Sequence, residues 1–282
     1  MPDYELNVVK TLEYKRPEID KGYADQTLSV DIGNREVAIN PVEPKTREVF
    51  VGGKGYDLWL LWNAVEPTTR WNDPANAICI ASGPLGGTPN YPGSGKSIVT
   101  SLSPLTGSVI DSNVGGYFGP YLKFSGFDAL QIQGKASRDT VIYIDGIDGR
   151  VQILAADGLP DNAYELSDLL TGHFGGGKPR SISVVSAGPG ARNTRIGCLN
   201  FTWYDAKRKR ARYKQAGRGG IGTVFADKGL KALVVRWDTV TVDTNKPADK
   251  DGLKGVAKLH SREVVELDPK QNEMSRIGTT HL

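Results

Sequence analysis

Ile80-Ala-Ser-Gly-Pro-Leu, followed by Asn113-Val-Gly-Gly-Tyr-Phe-Gly, is written a second time as Val185-Ser-Ala-Gly-Pro-Gly, followed by Gln215-Ala-Gly-Arg-Gly-Gly-Ile-Gly. The Gly-Pro pairs at 83 and 188 lie 105 residues apart, and the Gly-Gly pairs at 115 and 219 lie 104 apart. Glycine admits positive φ and carries no Cβ, so backbone amides in such loops can approach an anion closely. Two matched loops point to a ligand with two phosphates or two halves, and to a chain built from two related units.

The segments around these loops read as strands more often than helices. Gln26–Ile32 and Glu36–Ile39 alternate across Gly33-Asn34 as a hairpin, and Ala77–Ala81, Ser97–Ser103, Asp128–Gly134, Thr140–Asp145, Gly149–Leu154, Ser181–Ala187 and Gly229–Arg236 follow as strands. Helices are expected at Gly55–Ala64, at Tyr117–Phe124 after a loop holding Asn113, and at Asn162–Leu170, stopping at Gly172. Strands and helices do not alternate strictly, which predicts an α+β fold of two related repeats and disfavours Rossmann topology. For Gly217-Arg-Gly-Gly-Ile-Gly to act as a dinucleotide loop, a strand must precede it, whereas the basic run Lys207–Lys214 stands there. That run is open to reading as a solvated loop, a second anion site or a partner contact.

Three stretches are expected: a polar amino-terminal arm over 1–25, a main domain over 26–237, and a linker with the start of a second, helical domain over 238–282. The amphipathic helix of Leu253–Leu267 lies past the linker, so the chain reads as a fragment or as a subunit completed by a partner, the alternative being a helix that folds back on its own domain. Net charge is +3 from 35 basic and 32 acidic residues, too balanced to announce nucleic-acid or membrane binding. With no apolar run long enough to span a bilayer and no secretory start, the expected location is the cytoplasm. Cys79 and Cys198 sit in apolar contexts and read as reduced core thiols. With His173, His260 and His281 widely separated, two cysteines exclude a four-thiolate cluster or a close zinc pattern.

Ala81–Pro89, Ser103-Pro-Leu-Thr-Gly, Asp111–Asp128, Gly134-Lys-Ala, Ala216–Gly222 and Asp227–Ala232 together resemble the amino-terminal domain of the aldehyde ferredoxin oxidoreductase family. The resemblance runs from about Thr27 to Arg236. It implies a base of two repeats carrying a tungsten or molybdenum bis-pyranopterin, whose metal rides on dithiolenes. By the same resemblance, Lys96, Asn113, Gly115, Gly116, Lys214, Gln215, Gly217 and Arg218 are expected at the cofactor, the backbone carbonyls of Asn113 and Gln215 on a magnesium ion between the pterin phosphates. A 4Fe-4S cluster and the acid/base groups are expected on further domains or a second subunit, with electrons passed to ferredoxin or an iron-sulfur subunit in an oligomer. No catalytic residue is assigned within the chain itself; Asp111 and Asp128 are the carboxylates nearest the loops.

Lys96 and Lys214, like Lys54, stand where the family commonly has arginine, exchanging a bidentate fork for a point charge. Tyr117, Phe118, Trp59, Trp62 and Trp203 read as pterin walls, substrate lining or core. The implied reaction is oxidation of aldehydes to carboxylic acids. A reductase of aromatic acyl thioesters, a noncatalytic scaffold that keeps the fold, and a nucleotide or nucleic-acid module are the competing readings.

Overall fold

A computed structural model of the chain describes residues 4–89, 91–238, 240–241, 244–271 and 273–278; His281 lies outside them. A first strand, β1 (Glu5–Glu13), precedes two units of like construction. The first comprises a hairpin β2 (Gln26–Asp31) and β3 (Glu36–Pro41), helices α1 (Pro44–Phe50) and α2 (Lys54–Ala64), strands β4 (Ile78–Ala81), β5 (Ser97–Leu102) and β6 (Val109–Val114), helix α3 (Phe118–Phe124) and β7 (Ala129–Gln133). The second comprises a hairpin β8 (Thr140–Asp145) and β9 (Arg150–Asp157), helix α4 (Ala163–Gly175), strands β10 (Ile182–Ser186), β11 (Leu199–Asp205) and β12 (Arg210–Ala216), helix α5 (Ile221–Asp227) and β13 (Leu230–Arg236).

The sheet orders are β3-β2-β7-β4-β5-β6 and β1-β9-β8-β13-β10-β11-β12. Remove β1 and the two are the same order, with a parallel pair at the same place, β2 on β7 and β8 on β13. The duplication read from the glycines is thus a duplication of topology, and the fold is α+β.

Helix α2 covers the outer face of the first sheet over Tyr56, Leu60, Cys79 and Ala81. Helix α4 covers the outer face of the second over Val141, Leu166, Leu170 and Val234. The inner faces look at each other across the largest core, where α3 and α5 each touch strands of both sheets, through Phe118, Phe124, Val224 and Phe225 among others. Burying both sheet faces explains the continuous apolar runs of β4, β8 and β13.

Several expectations change on folding. Asn113 lies in β6, not in a loop, because Ser112 and Val114 turn inward while Asn113 points out, the two-residue period of a half-buried strand. The basic run is not a loop beyond its tip. Asp205 Oδ1 accepts from the amides of Lys207 and Arg208 to make the turn, and Arg210–Ala216 returns as an edge strand against β11. Gly217–Gly222 therefore does lie between a strand and a helix, although that strand belongs to an antiparallel hairpin and not to a βαβ unit. Helix α4 runs past Gly172, begins under an Asn162 cap on Tyr164 N and ends at the left-handed Gly176. Helix α1 went unread. Cys79 is buried in β4, whereas Cys198, just before β11, is only half-buried, and neither is in a disulfide.

The amino-terminal stretch does not stand off. β1 pairs antiparallel with β9, and Tyr14 Oη donates to the Ser125 carbonyl at 2.7 Å. Past the second sheet, α6 (Lys250–Gln271) and α7 (Met274–Ile277) follow, with Ala257 buried and His260 edging onto Tyr91 at 6.0 Å between ring centres. Among the described residues no helix is long and apolar enough to cross a membrane.

A buried ammonium ties the arm to the first repeat. Lys123 Nζ donates to the carbonyls of Gly22 (2.7 Å) and Gly83, close to Asp128, whose carboxylate accepts from the amides of Ala24 and Asp25. Burial holds Lys123 down at about 8 and pushes Asp128 up to about 6. Lys123→Met strands two carbonyls and removes the cation facing Asp128, and we expect a loss of about 3 kcal/mol in chemical denaturation. Between about 8 and the ordinary lysine value near ~10.4, the unfolded chain holds more protons at this site. Wild-type stability therefore rises with pH relative to the variant, and the gap widens across that window.

Candidate functional site

The glycine motifs collect at one end of each sheet because their strands are antiparallel. Ala81 pairs with Ile98 and Ser97 with Val114, so Gly83 after β4, Lys96 before β5 and Gly115 after β6 share an end. Ser186 pairs with Asn200 and Leu199 with Ala216, which places Gly188 after β10 beside Gly217 after β12 in the same way.

The two ends then meet. β6 and β12 are each the last strand of their sheet, and their ends run past one another in opposite directions. The amide of Arg218 donates to Ser112 Oγ at 3.1 Å, and Ser103 Oγ donates to the Gly219 carbonyl at 2.7 Å. A Cβ on Gly115 would lie 4.0 Å from Lys214 Cγ, and one on Gly116 would lie 3.8 Å from the Thr202 carbonyl oxygen. Asn113, Gly115 and Gly116 of one repeat are in this way brought against Lys214, Gln215, Gly217 and Arg218 of the other. Lys96 flanks them, since a Cβ on its neighbour Gly95 would stand 3.0 Å from the Gly116 carbonyl oxygen.

The seam suits an anion with two halves. Lys96, Lys214 and Arg218 are exposed and make no ion pair among the described residues. The nearby Asp111 carboxylate is engaged by Lys54 at 2.6 Å, so Lys54 is occupied within the fold. Gly83, Gly93, Gly188 and Gly217 have nothing within 4 Å of a would-be Cβ, leaving open space above their amides. Ser82, just after β4, and Ser186, at the end of β10, carry buried hydroxyls with no partner among the described residues. As edge strands, β6 and β12 present carbonyls outside any ladder, hard oxygen ligands of the kind magnesium takes. Cations, open amides and unladdered carbonyls fit the phosphates of a pair of pterins. Among the described residues no three His, Cys, Asp or Glu side chains come together, so the chain builds no side-chain metal cage there.

Beside the seam opens a cleft of about 570 Å³, bordered by Gly95, Gly116, Tyr117, Tyr121 and Arg180. Tyr117 packs on Trp203 at 5.9 Å, and the Trp203 indole nitrogen is buried without a partner among the described residues. Tyr121 Oη donates to the Arg180 carbonyl at 2.6 Å, and burial raises its phenol far above the usual range. Of the aromatic residues singled out in the sequence, Tyr117 and Trp203 reach this place. Phe118 is core, Trp59 stacks on Phe50 beneath α2, and Trp62 is 82% exposed on the far side of that helix. Asp128 is buried in the arm contact, its carboxylate taken by the amides of Ala24 and Asp25.

Another carboxylate, Asp57, escaped sequence reading. It lies fully buried on the inner face of α2, accepts from Thr100 Oγ1 at 3.2 Å and is pushed well above the usual carboxylate range by burial. Ser103 and Ser112, which bolt the seam, were also missed. Their hydroxyls become partners of the other repeat only when the sheets meet, and no local pattern announces that.

Comparison with known proteins agrees with the fold. Residues 27–237 match the aldehyde ferredoxin oxidoreductase N-terminal domain. The tungsten-containing aldehyde ferredoxin oxidoreductase of Pyrococcus furiosus is 32% identical over 209 residues, 74% of this chain and 32% of that protein. An aliphatic sulfonate oxidoreductase, WOR-like subunit, of the same organism is 28% identical over 76% of this chain and 34% of its own length. Among solved structures, the active site complex BamBC of benzoyl coenzyme A reductase, in complex with 1,5-dienoyl-CoA, superposes with a TM-score of 0.73 and 27% identity over 90% of this chain and 35% of that one. The chain thus spans about a third of the length of these relatives. Its matched residues and its paired repeats make it a member of the aldehyde ferredoxin oxidoreductase family, through that family's N-terminal domain.

Proposed function

We propose that this chain is the cofactor-bearing base of a tungsten- or molybdenum-pterin oxidoreductase, acting in the cytoplasm on aldehydes. The observation that carries the proposal is the seam, where two repeat-related glycine loops, two edge strands and three cations without an ion pair among the described residues come together. Lys96, Lys214 and Arg218 would neutralise the pterin phosphates, and the amides beside Gly115 and Gly217 would donate to them. The carbonyls of Asn113 and Gln215 would hold a magnesium ion between the two phosphates. When bound, the pterin-held metal supplies two-electron chemistry at a carbonyl carbon. The chain contributes position, charge balance and the floor of the site. Proton transfer, the cluster that takes the electrons and the contact with ferredoxin fall to further domains or a second subunit.

Lysine in place of arginine gives less directional phosphate contacts, so the pterins would be held more by the glycine amides than by side-chain forks. A second reading, reduction of aromatic acyl thioesters, is favoured by the structural neighbour, which carries a dienoyl-CoA.

Two measurements test the proposal. Mass-spectrometric metal analysis of the anaerobically purified native assembly should find tungsten or molybdenum, magnesium, and iron near cluster stoichiometry. Their absence from an intact assembly would leave a scaffold role. Second, Gly217 faces open space, whereas Gly219 has φ +68° with Ile110 packed where a Cβ would go. Gly219→Ala should cost about 2–4 kcal/mol in denaturation, from left-handed strain and overpacking. Gly217→Leu should stay within about 0.5 kcal/mol of wild type yet purify without the pterin metal. A Gly217→Leu protein that keeps its full metal content contradicts the assignment.

A further inference from the structure

The two repeats differ in charge at the tips of their outer hairpins. The tip between β5 and β6 is Ser103–Ser108, with Leu105 exposed, and it docks on the other repeat through Ser103 Oγ. The tip between β11 and β12 carries Lys207, Arg208, Lys209 and Arg210. Asp205 neutralises Arg208 at 2.8 Å, while Lys207, Lys209 and Arg210 make no ion pair among the described residues. Exposed like charges on one turn raise the local attraction for an anion.

A cleft of about 580 Å³, within the usual size of ligand sites, lies between this hairpin and α4. Tyr164 and Asp168 of α4 line one wall; Lys209, Arg210 and Tyr213 line the other, and Lys178 closes the end. Tyr164 and Tyr213 meet edge to face at 4.4 Å between ring centres, and Tyr164 remains 55% exposed. Burial holds the Tyr213 phenol up at about 12, with Asp168 and Tyr164 adding to the rise. Tyr213 is therefore neutral at physiological pH.

A second observation is independent of the charges. Gly172 also lines the cleft, in the interior of α4, with ordinary helical φ and nothing within 4 Å of a would-be Cβ. Neither packing nor backbone conformation demands glycine there, and glycine weakens a helix relative to alanine. What its absent side chain leaves is room for something to lie against the helix.

We propose that this cleft binds the phosphorylated end of a nucleotide. Lys178, Lys209 and Arg210 take the phosphates, the Tyr164–Tyr213 pair offers a ring to the base, Asp168 accepts from a sugar hydroxyl or an exocyclic amine, and Gly172 clears the wall. The site is separate from the seam and does not depend on a pterin being bound there. Lys178 also borders the cleft beside Gly95 and Gly116, so the two spaces adjoin. The same chemistry is presented by a free nucleoside diphosphate and by the nucleotide handle of coenzyme A.

The test is calorimetric titration of the full 282-residue chain with ADP, coenzyme A and adenosine. ADP or coenzyme A should bind one saturable site at least tenfold more tightly than adenosine, with affinity falling as salt is raised. Tighter binding of ADP marks a free nucleotide as the ligand; tighter binding of coenzyme A marks a thioester handle, and either supports the site. Lys209→Glu with Arg210→Glu should weaken binding tenfold or more. Gly172→Leu should abolish it, and Gly172→Ala should raise the melting temperature while weakening binding. Lys45→Glu, on the exposed face of α1 and outside both sites, should leave nucleotide affinity unchanged. No binding of either nucleotide at millimolar concentration overturns the proposal. So does binding that survives both Gly172→Leu and the charge reversal in proteins whose melting shows them folded.

Discussion

The contact between two strand edges governs this molecule. β6 and β12 each end a sheet, and an exposed edge is ordinarily a hazard, a row of unpaired amides and carbonyls ready to recruit another chain. Here each edge is turned to the other without fusing into one sheet. Two side-chain-to-backbone bonds, from Arg218 N to Ser112 Oγ and from Ser103 Oγ to the Gly219 carbonyl, set their spacing. Closing those edges fully would consume the carbonyls and amides that a ligand could use. Leaving them open outright would expose both sheets. The seam holds an intermediate position, and the glycines permit it, since Gly116 and Gly219 adopt positive φ and a Cβ on Gly219 would run into Ile110 of the opposite repeat.

The inner helices enforce this arrangement from below. Because α3 and α5 touch strands of both sheets, neither sheet can shift without disturbing the shared core of Phe118, Phe201, Val224 and Phe225. A rigid floor suits a large, flat cofactor, whose binding draws on many weak contacts rather than a few strong ones. Lys123 extends the same rigidity to the amino-terminal stretch, tying Gly22 to Gly83 at the edge of the first glycine loop.

Most of the framework was legible in the sequence because its signals are local. Alternation marks the β2–β3 and β8–β9 hairpins, glycine spacing marks the duplication, and apolar runs mark β4, β8 and β13 as doubly buried. The failures came where a tertiary contact decides. Asn113 belongs to a strand because β5 pairs with it, and Arg210–Ala216 is a strand because β11 does, against the solvated look of its charges. Gly172 sits inside a helix because the left-handed stop comes four residues later, at Gly176. At the site, the residue types were legible and the partnership was not. Nothing near Asn113 in the sequence indicates that Lys214 lies across from it, and the lysine at position 54 gave no sign that Asp111 would claim it.

The matched topologies are those of a two-fold dimer written in a single chain, its self-complementary interface being the meeting of β6 with β12. In a true homodimer every substitution appears twice, so a cationic tip on one side would impose the same tip on the other. Joining the copies covalently removes that constraint. One tip could become Ser103–Ser108 and dock inward while its counterpart became Asp205–Arg210 and faced outward, and the shared floor between them stayed symmetric. Covalent linkage has given the halves separate evolutionary fates without dissolving the axis that relates them.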